Sequence, residues 1–236
     1  MHRVFAPVPA GVYPANATPA YRSSAKRAPQ QPLVAIPHTP SEICGPRFNR
    51  VMARGALHDL TRPSGAEGEA LGQRIIVQGR VTDEHGRPER QTLIEVWQAN
   101  AAGRYLHDGD RHDAPLDPNF SGAGAVVTDD DGCYQFLTIE PGIYPWGNHY
   151  NAWRPKHIHF SLFGSAWATR LVTQMYFPAD PTLSFDPIFM GIDDRSTRER
   201  LVSCFDPEQS VPDYALAYRF DIVLRGALVT PWEQGA

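Results

Sequence analysis

The chain has 236 residues, of which 42% are hydrophobic and 20% are charged, a composition typical of a folded protein of one or two domains. Its formal net charge is −4 and no basic cluster is present, so neither nucleic acid nor an anionic membrane surface is expected as a partner. No apolar run approaches the roughly 20 residues of a membrane-spanning helix, so we expect no membrane association.

The first part of the chain differs in composition from the rest. Residues 1–70 are rich in Pro, Ala and Gly and show little periodicity, so they are predicted to form an extended N-terminal arm. A turn or short helix is predicted at residues 38–48. Residues 71–236 are predicted to form the main folded domain.

The cysteines and the N-terminal residues bear on the cellular compartment. Cys44, Cys133 and Cys204 are odd in number and widely spaced, which argues against a disulfide framework and against a thiolate zinc site. They are predicted to be free thiols, buried or half-exposed. Prolines interrupt the apolar residues that a signal peptide would need. We therefore expect a cytoplasmic protein.

From Arg74 onward, short segments rich in β-branched and aromatic residues alternate with turns that contain Gly, Pro or Asp. In the last segment Tyr218, Phe220, Ile222 and Leu224 alternate with polar residues, as expected for a half-buried strand. The predicted strands, in chain order, are RIIVQGRVT, QTLIEVWQAN, a hairpin within GAVVTDDDGCYQFLTIEPG, KHIHFSLFG, TRLVTQMYF and LAYRFDIVLRG.

Helical periodicity is convincing only at residues 193–205. Strands do not alternate with helices, so a parallel sheet is not expected. The predicted fold class is mainly β: an antiparallel β-sandwich with an extended N-terminal arm and little helix.

Two histidines stand at the start of one predicted strand. Side chains two residues apart on a strand share a face, so His157 and His159 lie roughly 7 Å apart at Cα and can converge on one ion. Ile158 and Phe160 point the other way, into the core. The pair alone is equally compatible with two imidazoles in an ordinary polar pocket.

Two tyrosines precede this pair in unusual surroundings. Tyr144 lies between Pro141 and Pro145, which predicts a rigid, extended backbone. Tyr105 follows a Gly-Arg pair at the end of a predicted strand, at the rim of the sandwich. Each of them alone is also compatible with a packing or hydrogen-bonding role.

Taken together, GRY at Tyr105, YPW at Tyr144 and WRPKHIHF around the two histidines resemble the intradiol ring-cleaving dioxygenases. The stretches PLDPNF, TQMYF and LAYRFDIVLRG extend the resemblance over nearly the whole chain. Within this family the sequence is most similar to the iron-bearing β chains of the protocatechuate 3,4-dioxygenases.

The resemblance implies one non-haem Fe(III) ion per chain, with Tyr105, Tyr144, His157 and His159 as its ligands. It also implies that Tyr144 is the ligand that the substrate displaces. Phenolate and imidazole donors suit Fe(III) better than zinc or copper(I). A trivalent ion stabilises the phenolate at neutral pH, although a free tyrosine has a pKa near ~10.

The resemblance further implies the groups that contact a catecholic substrate and O2. Arg154 would stabilise negative charge on the ring, and Gln174 would line the pocket. Trp146 and Ile188 would form its apolar walls, and Tyr21 in the arm would lie near the substrate carboxylate.

A partner chain is also implied, namely a homologous α subunit that lacks the iron ligands, in a higher hetero-oligomer. The N-terminal arm would pack on that chain, and residues 71–236 would be the catalytic domain. Arg27 lies in the same arm, and its role stays open. The remaining histidines, among them His107, His112 and His149, are interpreted as surface or turn residues.

Three alternatives remain open. Catechol and hydroxyquinol 1,2-dioxygenases share the ligand set, but a helical N-terminal domain is typical of them and the Pro-rich arm favours the protocatechuate type. A transthyretin-like binding module would need no iron, so iron content separates it from an enzyme. A zinc hydrolase would need a carboxylate base near the histidines, and the sequence offers no obvious one.

Overall fold

The computed structural model describes residues 12, 15, 17, 28, 29, 31, 58–63, 65–149, 152–163 and 171–232. Tyr21, Arg27, Cys44 and the turn or short helix predicted at residues 38–48 lie outside these residues. So does most of the predicted arm.

The described part of the chain is built mainly from strands. They are β1 (Arg74–Thr82), β2 (Leu93–Trp97), β3 (Ala123–Val127), β4 (Cys133–Ile139), β5 (Tyr144–Trp146), β6 (Ala152–Arg154), β7 (His157–Phe163), β8 (Leu171–Tyr176), β9 (Cys204–Phe205), β10 (Leu216–Arg219) and β11 (Ile222–Val223). A 3-10 helix at Leu183–Phe185 and two short α-helices, α1 (Pro187–Met190) and α2 (Arg195–Glu199), lie between β8 and β9.

The strands form two main sheets and one small ribbon. In the first sheet β1 lies between β4 on one side and β10 and β11 on the other, and β9 follows β10. The second sheet has the order β3-β2-β7-β8 and is antiparallel throughout. β5 and β6 pair antiparallel with each other.

The core lies between the inward faces of the two sheets. Ile75, Val77 and Phe136 from the first sheet meet Ile158 and Phe160 from the second, and all are at most 1% exposed. The rings of Phe136 and Phe160 are 6.0 Å apart across the interface. The predicted fold class, mainly β with antiparallel sheets and little helix, is confirmed.

The predicted hairpin is wrong, although its turn is present. β3 pairs with β2 and β4 pairs with β1, so the turn carries the chain from one sheet to the other. The Asp129 carboxylate closes the turn by accepting the N–H groups of Asp131 at 2.9 Å and Cys133 at 2.8 Å. A period of two shows that a segment is a strand but does not show which strand it pairs with.

A parallel sheet was not expected, and among the described strands none of the sheets is parallel throughout, but the first sheet is mixed. β1 runs parallel to both β10 and β11. Parallel pairing needs only a long connection, and here the whole second sheet lies between the paired strands in sequence, so a crossover helix is not needed.

The last predicted strand is divided into β10 and β11 between Arg219 and Ile222. At this point the Phe220 carbonyl accepts the Tyr134 hydroxyl at 2.6 Å and faces Gly79, where a Cβ would lie only 1.9 Å from that oxygen. The alternation predicted around it is nevertheless present, because Phe220 and Ile222 are buried and Asp221 is exposed.

The helical prediction is confirmed only in part. α2 ends at Glu199, and Cys204 and Phe205 pair instead with β10. α2 begins where Asp194 accepts the N–H of Thr197 at 2.7 Å. α1 was not predicted, although Asp186 followed by Pro187 is a recognisable helix start.

Part of the chain just before the predicted boundary at residue 70 packs against the strands. Leu60 is fully buried in the core, and its N–H donates to the Leu137 carbonyl of β4 at 2.8 Å. Cys133 and Cys204 are free, as predicted, but exposed. Within the described ranges, no helix is long and apolar enough to cross a membrane.

Candidate metal centre

The two histidines lie on a strand that is buried on both faces. β7 is flanked by β2 and β8, and its side chains at Ile158 and Phe160 point into the core. His157 and His159 point to the opposite face, yet they are only 2% and 9% exposed. The prediction that the pair shares one strand face is therefore confirmed, and that face is covered.

His157 is held in the form that can bind a metal. Its Nδ1 lies 2.6 Å from the Pro155 carbonyl oxygen, so Nδ1 carries the proton and donates it there, and Nε2 is left as an acceptor. Burial, together with Arg154 and His159, holds the pKa of the His157 imidazole well below its usual value. The ring is therefore neutral at pH 7.

His159 is oriented by an aromatic neighbour on the adjacent strand. Trp97 is its partner in the β2–β7 pairing, and the two rings stack at 4.7 Å with an angle of 4° between their planes. The ring centroids of His157 and His159 are 4.8 Å apart.

Tyr144 is brought to the histidines by the small β5–β6 ribbon. Tyr144 lies directly opposite Arg154 in this ribbon, and Arg154 precedes His157 by three residues. Its hydroxyl is 3.4 Å from Nε2 of His157 and donates to that nitrogen.

Tyr105 is placed next to Tyr144 by a close approach of two backbone segments. Gly103 has a φ of +78°, and a Cβ there would lie 2.0 Å from the carbonyl oxygen of Ile143, so only glycine fits. The Asn100 carbonyl holds the two segments together, because it accepts the N–H groups of Gly103 and Gly142, each at 2.9 Å. As a result the Tyr105 and Tyr144 rings meet edge to face at 5.3 Å.

The loop after Tyr105 is fixed by one carboxylate that the sequence analysis missed. Asp110 accepts the N–H of Tyr105 at 2.7 Å and the N–H of His112 at 2.8 Å. It also forms an ion pair with Arg104 at 3.5 Å. The backbone of Tyr105 is thereby held in place, and its hydroxyl oxygen is buried.

The structure thus brings together all four residues that were predicted as metal ligands. Tyr144 lies 5.6 Å from His157, and Tyr105 lies 6.5 Å from His159, measured between ring centroids. Two donors bound at about 2 Å to one ion lie about 3 to 3.5 Å apart, which matches the 3.4 Å between the Tyr144 oxygen and His157 Nε2.

The donor set also limits which metal fits. No group of three His, Cys, Asp or Glu side chains suited to a metal occurs in the part of the chain that the structure describes. A metal in this position would therefore need phenolic oxygens as well as the two imidazoles. Such a mixed oxygen and nitrogen set fits Fe(III), and binding at these four residues stays a prediction.

Three of the four rings, those of Tyr105, Tyr144 and His159, border a cleft of about 770 Å³, whereas His157 does not line it. Tyr105, Tyr144, Trp146 and His159 line it, together with residues that the sequence analysis assigned to the surface or to turns, which are His107, His112 and His149. Arg111, which is exposed, also lines the cleft. The three histidines and Arg111 are within eight positions of Tyr105 or Tyr144 in sequence. That proximity is the one feature of the sequence that could have placed them at the cleft.

Arg154 lies behind the cleft in a buried polar network. Its guanidinium carbon is 5.5 Å from the centre of the Trp146 ring, and its Nη2 donates to Gln174 and, at 3.3 Å, to Tyr176. Asp186 forms an ion pair with its Nε at 3.1 Å. Nε has no hydrogen-bond partner of good geometry among the described residues, so this contact is an ion pair.

The charge of Arg154 is secured by this network. Burial alone lowers the pKa of the guanidinium, but Asp186 and the phenol groups of Tyr144, Tyr176 and Tyr105 outweigh it. The pKa therefore lies well above its usual value. Arg154 is a permanent cation beside the four rings.

The remaining predicted substrate contacts are only partly placed near the cleft. Gln174 is the partner of His159 in the β7–β8 pairing and is 2% exposed. Ile188 and Gln174 line a separate interior cavity of about 10 Å³, and neither residue lines the cleft. A substrate contact from Gln174, Ile188 or Tyr21 stays a prediction.

Comparison with protein families gives two matches along the chain. Residues 43–226 match the family described as Dioxygenase, and residues 5–39 match the family described as Protocatechuate 3,4-dioxygenase beta subunit N terminal. The two matches meet within the region predicted as the arm.

Individual relatives cover most of the chain. A protocatechuate 3,4-dioxygenase beta chain from Burkholderia cepacia is 55% identical over 94% of both chains. A protocatechuate 3,4-dioxygenase alpha chain from Pseudomonas putida is 30% identical over 83% of this chain and 95% of its own length. Among solved structures, the dioxygenase domain of a carbohydrate-binding fusion protein from Streptomyces is 26% identical, with a TM-score of 0.51 over 73% of this chain and 90% of that one.

Proposed function

This chain belongs to the dioxygenase family, and we propose that it is the iron-bearing β subunit of an enzyme that cleaves protocatechuate (3,4-dihydroxybenzoate) with O2. The product is 3-carboxy-cis,cis-muconate. The observation that carries the proposal is the convergence of the rings of Tyr105, Tyr144, His157 and His159, three of which line the cleft.

The family uses non-haem iron, and we propose one Fe(III) ion held by these four side chains. When bound, the ion would supply a site for the catechol oxygens and activation of the ring towards O2. As phenolates, Tyr105 and Tyr144 would cancel two of its three positive charges. The neutral His157 ring, with its proton fixed on Nδ1, presents Nε2 for binding.

Tyr144 is the ligand proposed to leave when the substrate binds. It is half-buried at the cleft and lies on a ribbon of only two short strands, whereas His157 and His159 are buried in the middle of a sheet. Movement of Tyr144 therefore disturbs less packing than movement of either histidine.

Arg154 and Trp146 are proposed to act on the aromatic ring. Trp146 lines the cleft and offers a flat apolar face. The Arg154 guanidinium beside it provides a fixed positive charge that stabilises negative charge developing on the ring in the transition state. Because its partners hold it in place beforehand, no reorganisation is needed during the reaction.

A homologous α chain is the proposed partner, in a higher hetero-oligomer. The family contains both α and β chains, and this chain carries all four proposed ligands, as a β chain would. The arm, residues 1–70, is proposed to pack on α and to bring Tyr21 near the substrate carboxylate. The cytoplasm is the proposed compartment.

The proposal is tested by expressing the chain together with its α partner and measuring O2 uptake with protocatechuate, catechol and hydroxyquinol. We expect one O2 consumed per protocatechuate, a ring-opened carboxymuconate as product, and slower turnover of the other two. Faster turnover of catechol or hydroxyquinol would assign the chain to those enzymes. Bound iron without turnover of any catechol would contradict ring cleavage.

A further inference from the structure

One buried carboxylate next to the site pairs with Arg154 but takes no direct part in the proposed chemistry. Asp186 is fully buried and comes directly before α1. Its Oδ2 accepts hydrogen bonds from the Tyr176 hydroxyl at 3.1 Å and from Arg154 Nη2 at 3.3 Å. Its Oδ1 lies 3.1 Å from Arg154 Nε and accepts the N–H of Ile188 at 3.2 Å.

Asp186 and Arg154 are each stabilised as buried charges by the other. A buried charge is strongly destabilising unless it is paired and hydrogen-bonded, and both members of this pair are at most 3% exposed. The carboxylate contacts Nε and Nη2, which is the edge of the guanidinium that faces away from Nη1.

The same carboxylate also fixes a second element. By accepting the Ile188 N–H it caps the start of α1, and Ile188 is the residue predicted to form an apolar wall for the ring. Asp186 therefore connects the Arg154 guanidinium on β6 with Ile188 on α1.

We propose that Asp186 is a positioning residue for ring cleavage, an inference that rests on the proposed function. It fixes the guanidinium plane of Arg154 beside Trp146 and ties that plane to the start of α1. It touches neither the substrate nor the four proposed ligands, and it acts through Arg154.

A second carboxylate–arginine pair provides a matched control. Asp83 is 4% exposed, lies in the turn after β1 and pairs with Arg87, its Oδ2 accepting Nε at 2.7 Å. None of the residues lining the cleft belongs to this turn. Asp83→Asn likewise removes the charge of a buried carboxylate that is paired with an arginine, here a half-exposed one, so it controls for loss of a buried carboxylate without any effect on Arg154.

The experiment compares Asp186→Asn with Asp83→Asn in the assembled enzyme with its α partner. Asparagine keeps an acceptor for the Ile188 N–H but loses the charge and the second acceptor for the guanidinium. We expect Asp186→Asn to retain iron and the visible phenolate-to-Fe(III) charge-transfer band predicted for the resting enzyme. Its kcat should fall by about 10- to 100-fold, and the Kd for protocatechuate measured without O2 should change less. Asp83→Asn should keep the wild-type kcat.

Two further readouts separate positioning from general damage. In the Arg154→Gln background, Asp186→Asn should lower kcat no further, because a residue that acts through Arg154 has nothing left to position. A crystal structure of the Asp186→Asn enzyme should show the guanidinium displaced from the Trp146 ring. Additive losses in the double variant, an unmoved guanidinium or a kcat within twofold of wild type would each overturn the inference.

The experiment distinguishes failure of the proposed function from failure of the inference about Asp186. If the wild-type enzyme binds iron but turns over no catechol, ring cleavage is wrong. The position of the guanidinium in the variant crystal structure still decides whether Asp186 orients Arg154.

Discussion

The two sheets differ in what lies on the face that points away from the core. In the first sheet that face carries Arg80, Gln135 and Arg219, all of them exposed. In the second sheet the corresponding face carries His157, His159 and Gln174, all of them buried. Both sheets have polar residues at alternate positions, so the alternation alone does not distinguish them.

The difference shows where a buried polar face is maintained for a reason other than packing. Burying a polar side chain is unfavourable unless it finds a partner. His157 has the Pro155 carbonyl, His159 has the Trp97 ring, and Gln174 has Arg154. On the outer face of the second sheet these three buried polar side chains are therefore hydrogen-bonded or stacked, as the supporting residues of the proposed metal site would be.

The largest effect is expected from breaking this layer at a proposed ligand. His159→Ala removes a donor and leaves a gap beside Trp97, so iron should be lost and turnover should fall by more than the about 100-fold typical of changes around a metal site. Metal analysis and steady-state kinetics check this. Gln135→Ala on the exposed face of the first sheet is the control and should change neither. Full iron content in His159→Ala would mean that His159 is no ligand.

A somewhat smaller effect on iron binding is expected where the segment before Tyr105 meets the segment before Tyr144. At Gly103 a Cβ would lie 2.0 Å from the Ile143 carbonyl oxygen, whereas Gly86, with a φ of +74°, has nothing within 4 Å of its Cβ position. Gly103→Ala should therefore separate Tyr105 from Tyr144 and reduce iron binding and the visible band.

Gly86→Ala is the matched control, because it has only the cost of the positive φ, about 1–2 kcal/mol in the free energy of unfolding. Iron titration and urea unfolding of both variants check the prediction. Equal iron affinity in the two variants would show that the close approach at Gly103 does not matter for the site.

An intermediate effect is expected at the proposed leaving ligand. Tyr144→Phe keeps the ring packed against Tyr105 and removes only the oxygen, so the other three residues should retain iron. Substrate binding without O2 and turnover should both slow, by about 10- to 100-fold. Stopped-flow absorbance and steady-state rates measure this. Wild-type kinetics would mean that Tyr144 is not the ligand that leaves.

The smallest effect is expected far from the site, in the turn after β1. Burial alone raises the pKa of Asp83, but hydrogen bonds from Arg87 and from the His85 and Arg87 N–H groups outweigh it and lower the pKa to about 2. The pKa in the unfolded chain is higher, near 3.8, so the stabilisation is complete above that pH and is lost as the pH falls towards 2.

Asp83→Asn should lower the free energy of unfolding by about 1 kcal/mol at pH 7, a modest value because Arg87 is half-exposed. The difference from wild type should shrink as the pH falls below 3.8. Urea unfolding at pH 7, 4 and 3 measures it. A difference that stays constant over this range would rule out the charge of Asp83 as its source.

Much of the site was predictable because its signals are local. The shared face of His157 and His159 follows from the period of a strand, and the resemblance supplied Tyr105 and Tyr144 as their companions. Asp110 and Asp186 were missed because their importance depends on contacts with Tyr105 and Arg154 that only the folded chain makes. The predicted hairpin failed for a related reason, because side-chain alternation in β3 and β4 does not specify their partners.

The central claim, that the four rings hold Fe(III) and that the substrate binds there, is tested most directly by a visible absorption spectrum. The purified enzyme is measured before and after protocatechuate is added without O2. We predict a broad phenolate-to-Fe(III) charge-transfer band that shifts when the substrate is added. A colourless protein that stays colourless after reconstitution with iron would contradict the claim.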